Sequence, residues 1–409
     1  MRRRRFITRL SSAALLGPTS IPALEHALAG PGAHPEDFWE AVRAAFLLPE
    51  DRIYLNVGTL GVQPRPVVDA VIEHTRRVAR SQPPPAPWDA LKTELASLLN
   101  GDPEGFVFPR NTTEAMSFVA NGLELGRGDE VLTTNHEHIG GLCCWQLLAA
   151  RRGVRLRVLP LPATAGSPEE LIAPFRTAIG PRTRVLSVSH VNFTNGTIMP
   201  VRALVELARP HGIIVVVDGA HPPGMMPVDL RALDADFYAS SPHKWLLAPQ
   251  GTGLLYLRRE WRSRLWPTVA SGGWDDAELG AHRLNHLGTA DESRLAGLLA
   301  ALRFHRALGP GRVHERIREL RAWLLTALRA VPGLELISPA GDLSAGMVSF
   351  RIAGIESLAL QEQLAREANI RTRVVSEYGY GWMRLSPHVY TRPAELERTV
   401  ALLSRRAAR

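Results

Sequence analysis

Only two lysines, Lys92 and Lys244, stand in a chain whose lysine and arginine together number 48. Arginine is the generic cation here, so a retained lysine marks a place where a proton must be able to leave, which a guanidinium does not permit. Lys244 follows Ser241-Pro242-His243 and precedes Trp245-Leu246, at the predicted end of a buried strand. Burial there disfavours the ammonium and leaves an amine that attacks carbonyl carbon. The competing reading is a surface lysine that snorkels to water, and the lysine-poor composition weighs against it. Asp218 closes the run Ile213-Ile214-Val215-Val216-Val217. A carboxylate in that position needs a partner, because burying it unpaired is expensive. A protonated ring nitrogen would serve, and so would a helix N-terminus or an arginine.

Thr112 and Thr113 open a predicted helix with Glu114 just behind. A threonine there can be a plain cap, but the free backbone N–H groups of a helix start also hold phosphate, and Ser241 and His243 can complete such a cradle. His138 follows a predicted strand ending at Thr134. It is either a structural histidine or a flat ring stacked on another flat ring. Lysine nucleophile, buried carboxylate, phosphate cradle and stacking ring together describe a site for pyridoxal 5′-phosphate. In it the lysine forms the Schiff base and the carboxylate keeps the pyridine nitrogen protonated.

These groups must be brought together by a scaffold. The 409 residues are 45% hydrophobic and 22% charged, which excludes disorder, collagen and coiled coil. Short apolar runs at 130–134, 155–159, 184–190, 213–218, 236–240 and 253–257 alternate with helical patterns at 113–123, 140–151, 201–208 and 292–308. That alternation predicts an α/β fold, a mostly parallel sheet wrapped by helices. Ligands collect at the carboxyl ends of such strands, where Asp218, Ser241 and Lys244 fall. After Gly309 the pattern changes to a smaller α+β domain. Its helices are expected at 312–330, 357–368 and 394–405, and its strands at 346–352, 371–375 and 382–385. The expected division is thus a large domain over 51–308 and a small one over 309–409, with residues 30–50 joining the latter.

Residues 1–29 read as an export signal of the twin-arginine type. Arg3-Arg4-Arg5-Phe6-Ile7 precedes a moderately apolar stretch, and Ala27-Leu28-Ala29 offers a cleavage site. Five arginines and Glu25 lie in this segment, so its removal lowers the net charge of +8 by four, to +4. The remaining arginines form no basic stripe with interleaved aromatics, and nucleic acid is not an expected partner. Beyond the segment no apolar run nears the ~20 residues of a membrane span, so no stable membrane anchoring is expected. The adjacent Cys143 and Cys144 exclude a disulfide framework and any multi-cysteine metal site, and no metal is expected. A serine hydrolase built on Ser189 or Ser241 lacks a Gly-x-Ser-x-Gly elbow.

The chain resembles the class V aminotransferase group of fold type I pyridoxal-phosphate enzymes, and within it the isopenicillin N epimerase-like proteins. The resemblance runs from about Tyr54 to Leu403. It is carried, in order, by Tyr54-Leu55-Asn56, Asn111-Thr112-Thr113-Glu114-Ala115, Glu137-His138, Ser189-His190-Val191, Asp218-Gly219-Ala220-His221, Ser241-Pro242-His243-Lys244-Trp245, Gly251-Thr252-Gly253, Gly288-Thr289 and Arg384-Leu385-Ser386. It implies that Lys244 is the Schiff-base lysine, Asp218 the partner of the pyridine nitrogen and His138 the ring stacker. It implies further that His221 contacts the ring hydroxyl and that Thr112, Thr113, Ser241 and His243 bind phosphate. Arg384 would clamp the substrate α-carboxylate. Thr289 would reach the phosphate of a neighbouring subunit, which implies a homodimer.

Two departures qualify the resemblance. Strict register puts Phe193 where the cysteine desulfurase branch has an asparagine against the cofactor, and it leaves Asn192, Thr194 and Asn195 as candidates for that contact. The segment between Arg371 and Arg384 has no cysteine but holds Tyr378, Gly379, Tyr380 and Trp382. That removes a persulfide-forming nucleophile and makes Tyr378 and Tyr380 an expected aromatic wall for the substrate. The expected activity is chemistry at the α-carbon of an amino acid or amino-acid conjugate, ranked as epimerisation, then C–S or β-eliminating lysis, then transamination. The non-enzymatic alternative is a degenerate binding protein, against which intact Lys244, Asp218 and Arg384 argue.

Overall fold

The computed structural model describes residues 35–408; the expected export signal lies outside them. After a two-residue strand β1 (Ile53–Tyr54), the chain lays down β2 (Phe106–Val107), β3 (Glu130–Thr134), β4 (Arg155–Leu159), β5 (Thr183–Ser189), β6 (Ile214–Asp218), β7 (Phe237–Ser240) and β8 (Leu254–Leu257). Strands β2 to β8 form one sheet in the order β2-β8-β7-β6-β5-β3-β4. Within it β8 runs antiparallel to both neighbours, and β7, β6, β5, β3 and β4 pair in parallel. The expected α/β scaffold is therefore present.

The physical reason lies in β6. Val215 and Val217 enter the apolar cluster on one face of the sheet, and Val216 enters the cluster on the other. Both faces are covered, so the strand has no polar alternation to show. The Trp88–Leu99, Val201–Ala208 and Ser293–Leu308 helices cover the first face, and the Thr112–Gly122 and Ile139–Arg152 helices the second.

The C-terminal part adds β9 (Leu334–Leu336), β10 (Val348–Ile352), β11 (Ile370–Arg371), β12 (Arg373–Val375) and β13 (Trp382–Leu385). An antiparallel sheet in the order β12-β13-β10-β9 packs under the Pro310–Arg329, Ser357–Ala368 and Pro393–Ala407 helices. The single strand expected at 371–375 is divided. Ile370–Arg371 pairs in parallel with β1, whereas Arg373–Val375 pairs with β13. One extended stretch thus serves two sheets.

The first described helix braces this arrangement. In the Pro35–Arg43 helix, Arg43 donates to the Tyr390 carbonyl (2.6 Å) and pairs with Glu395 (3.0 Å). Trp39 and Val42 join Trp245, Leu247 and Tyr390 in one apolar cluster. Among the described residues no helix is long and apolar enough to cross a membrane.

Candidate active site

Strands β3, β5, β6 and β7 end side by side, and Ser189 stands directly opposite Asp218 in the register. Above this edge lies a cavity of about 300 Å³ lined by, among others, Thr112, Thr113, His138, Asp218, His221, Ser241, His243, Lys244 and Arg384. Residues spread over most of the sequence are thus brought together. Tyr378, Tyr380 and Thr289 are not among the lining residues. Tyr380 stacks on Trp382 (4.0 Å between centroids) and donates to the Asn135 carbonyl (3.2 Å), and Tyr378 donates to the Glu137 carbonyl (2.6 Å). These hydroxyl contacts tie both rings to the loop that carries His138. Thr289 is exposed.

One end of the cavity is built for an anion. Asn111 caps the Thr112–Gly122 helix by accepting from the Glu114 N–H (2.9 Å), which frees Thr112 and Thr113 for other work. Ser241 Oγ accepts from the Thr112 N–H (3.1 Å) and shares a hydrogen bond with Thr112 Oγ1 (2.7 Å). His243 Nδ1 lies 3.1 Å from the Thr252 carbonyl, which can only accept. The Nδ1 proton is committed there, so His243 donates to an anion through Nε2 only as the imidazolium. Burial and the Lys244 charge lower its pKa, and a phosphate beside it would oppose both.

The next residues form the walls. His138 caps its own helix, Nδ1 accepting from the Gly140 N–H (3.1 Å), and burial holds it neutral with a pKa of about 4. Glycines follow for a steric reason. A Cβ on Gly140 would lie 2.3 Å from Thr113 Oγ1, and one on Gly141 would lie 2.8 Å from Asp218 Oδ2. Asp218 Oδ1 accepts from the Ala220 N–H (3.0 Å), while Oδ2 makes no hydrogen bond among the described residues. Burial raises the Asp218 pKa, and the Lys244 charge opposes the rise.

Lys244 is held closer to losing its proton than an ordinary lysine. Burial lowers its pKa to about 8, against the attraction of Asp218. The Trp245 indole N–H donates to His221 Nδ1 (3.1 Å). An indole nitrogen cannot accept, so the neutral His221 ring carries its proton on Nε2. That nitrogen is 3.2 Å from Lys244 Nζ. An N–H facing an amine at this distance makes a hydrogen bond only to a free lone pair, so this contact forms with the neutral fraction of the lysine. Leu247, three residues on, holds a left-handed backbone (φ 60°), a strained conformation for a leucine.

Opposite stands Arg384, donating to the Phe193 carbonyl (2.6 Å) and to Thr59 Oγ1 (3.2 Å). Burial pushes its pKa down to about 9. The loop from Gly58 to Gly61 packs closely against the Arg384 side chain and the Lys244 backbone. A Cβ would come within 3.0 Å of Arg384 at Gly58 and 2.1 Å of the Lys244 carbonyl at Gly61. At the position left open among 192–195, Phe193 lines the cavity and meets His138 edge-on (5.0 Å). Asn195, by contrast, donates to the Ala163 carbonyl, and Thr194 bonds His136. Neither cysteine lines the cavity.

The family model described as aminotransferase class V matches residues 86–398. The chain belongs to the class V aminotransferase family. It is 36% identical over 389 residues to the isopenicillin N epimerase of Amycolatopsis lactamdurans, spanning 89% of this chain and 98% of that relative. It is 34% identical to the Streptomyces clavuligerus isopenicillin N epimerase, over 88% and 96%. A cysteine desulfurase of Klebsiella pneumoniae subsp. pneumoniae is 34% identical over 73% and 78%. Among solved structures, the cystine C–S lyase C-DES in complex with its product cysteine persulfide superposes with a TM-score of 0.79 at 26% identity, covering 87% and 98%. The sequence-based assignment of family, fold and cofactor therefore holds, and the class V chain is a pyridoxal-phosphate enzyme. The site fits that group: donors converge at one end, a carboxylate oxygen without a hydrogen-bond partner among the described residues sits on the floor, and a low-pKa amine stands at the side.

The sequence reading gives Thr59 and Arg373 no role, and it weighs Ser189 as chemistry only for a hydrolase. Ser189 lines the cavity and donates to Glu137 Oε2 (2.6 Å), and Glu137, buried and pushed up to about 7, also accepts from Thr134 (2.7 Å). Arg373 lines the cavity as well. Ser189 could have been found from its place at the end of the strand before β6, but an arginine in an arginine-rich chain carries no such mark.

Proposed function

We propose that the enzyme withdraws the α-proton of an amino acid or amino-acid conjugate and delivers a proton to the opposite face, with inversion. When bound, pyridoxal phosphate supplies an electron sink for the charge left on the α-carbon. The chain supplies the rest. Thr112, Thr113, Ser241 and a protonated His243 would hold the phosphate. His138 would cover the ring, Asp218 would keep a proton on the ring nitrogen, and His221 would contact the ring hydroxyl. Arg384 would clamp the α-carboxylate, and Lys244 as a free amine would take the α-proton from one face, so inversion requires a proton delivered to the opposite face by a donor other than Lys244. The observation that carries this reading is Lys244 Nζ at 3.2 Å from His221 with its pKa lowered to about 8, a base matched to neutral water. The epimerase relatives favour inversion, and the absence of a lining cysteine leaves no thiol in the cavity to accept sulfur.

The loaded enzyme incubated with amino acids in deuterated water should put deuterium on the α-carbon with loss of optical purity. Keto-acid formation would make it a transaminase instead, and release of a side-chain fragment a lyase.

The exposed Thr289 and the family resemblance support a homodimer in which Thr289 reaches the partner's phosphate site. Residues 1–29 support export. The protein expressed with its N-terminus intact should be recovered outside the cytoplasm as a cofactor-loaded dimer, and the Arg3→Lys/Arg4→Lys variant should stay inside. A loaded monomer would remove the first reading, and unaffected export the second.

A further inference from the structure

We propose that Arg373 forms a second anion site in this cavity, and that the substrate therefore carries an acidic side-chain group in addition to its α-carboxylate. The inference rests on the reading above, in which Arg384 holds the α-carboxylate. Arg373 on β12 stands directly opposite Arg384 on β13 in the antiparallel register. Directly paired side chains leave a sheet on the same face, and both guanidiniums line the cavity. Like charges facing each other in this way are destabilising. The cost is visible in Arg384, whose proton is loosened first by burial and next by Arg373.

The two arginines differ in what neutralises them. Arg384 is fully enclosed, bonded to one carbonyl and one hydroxyl, and no carboxylate pairs with it among the described residues. It has room for one anion, the α-carboxylate. Arg373 pairs with Glu377, four residues on. Yet Arg373 Nε and Glu377 Oε2 are both buried without partners, so the pair uses only part of a guanidinium fork that can bind a carboxylate through two parallel bonds. Glu377 opens a turn in which Tyr378 (φ 58°), Gly379 (φ 74°) and Gly381 (φ 62°) all take left-handed conformations. It is thus a counter-ion on a turn, not on a strand.

The charges around the cavity agree. Among the described residues, Lys244, Arg373 and Arg384 are its lining cations beside three histidines, while Asp218 is the only lining carboxylate. An α-carboxylate at Arg384 still leaves Arg373 facing the substrate. If Arg373 served only to fasten its turn through Glu377, a neutral residue aimed away from Arg384 would do so without the repulsion. A side-chain carboxylate that completes or replaces the Glu377 contact gives that repulsion a purpose.

The test is a visible-absorbance titration of the loaded enzyme, which reads binding rather than turnover. The probes are L-aspartate, L-glutamate and L-2-aminoadipate, each against its side-chain amide, so that the members of a pair differ only in charge. At least one acid should bind about tenfold or more tighter than its amide. Arg373→Gln should bring that ratio near one while changing amide affinity less than about twofold, and Arg373→Lys should keep part of the preference. Glu377→Gln, which removes the competing carboxylate, should tighten the acid and leave the amide alone. No preference for any acid in the parent enzyme would overturn the proposal. So would equal weakening of acid and amide in Arg373→Gln, or, should that variant not fold, an unchanged ratio in Glu377→Gln. Each of these failures occurs in a protein that still holds its colour on Lys244; loss of that colour in the parent would instead strike the cofactor reading.

Discussion

Lys244→Ala should lose α-proton exchange by about 10³-fold or more, the upper part of the range for removing a positioned acid–base group, while the protein still folds and binds the phosphate end of the cofactor. Borohydride treatment of the parent should fix the cofactor's absorbance and mass to the peptide that carries Lys244; in the variant no peptide should retain them. Lys92 cannot substitute, because it is held in a salt bridge to Glu104 (2.9 Å) and is absent from the cavity lining. The pH dependence follows from the depressed pKa. The reactive form is the neutral amine, so capture of free cofactor by the empty protein should rise with pH and reach half its maximum near pH 8, the value to which Lys244 is lowered from 10.5. At pH 7 roughly one lysine in ten is then neutral, against about one in three thousand for an unperturbed side chain. A midpoint near 10, or a covalent adduct retained by Lys244→Ala, would show that another group or an exposed amine does the work.

Why could so much of this site be read before the fold was known? Lys244 and Asp218 were visible because each broke a local rule: a lysine where the chain uses arginine, and an acid at the end of an apolar strand. The parallel sheet then had to place both at one edge, since β6 and β7 are neighbours running the same way. Contributions that come from pairing across long separations were not visible. Arg373 matters because it faces Arg384, a fact of register between β12 and β13. The short strands β1 and β2 carry no periodicity over two residues, and β1 is defined by a partner, β11, at the other end of the chain. The contacts of Tyr378 and Tyr380 are hidden from the sequence for a related reason. Aromatics near a site look like a wall for the substrate, yet their hydroxyls are spent on the carbonyls of Glu137 and Asn135, and only three-dimensional contacts show that. Trp245 looked like packing beside the lysine. Its indole N–H turns out to decide which nitrogen of His221 carries the proton.

Asp218→Asn separates the electronic role of this carboxylate from its structural one, because two measurements should move in opposite senses. The amide is nearly isosteric and can keep the bond from the Ala220 N–H (3.0 Å in the parent), so the fold beside β6 should survive. What disappears is a negative charge that raises the pKa of Lys244. Without it the lysine loses its proton more readily, and the midpoint for cofactor capture should move below the parent's value of about 8. Capture at neutral pH should accordingly become faster. Turnover should fall all the same, by about 10²–10³-fold, the range for removing one preorganised electrostatic partner of developing charge, because an asparagine cannot hold a proton on the ring nitrogen. A carboxylate that served only to fasten β6 would give a different result when removed. Capture and turnover would then decline together with the melting temperature, and that pattern would take Asp218 out of the chemistry.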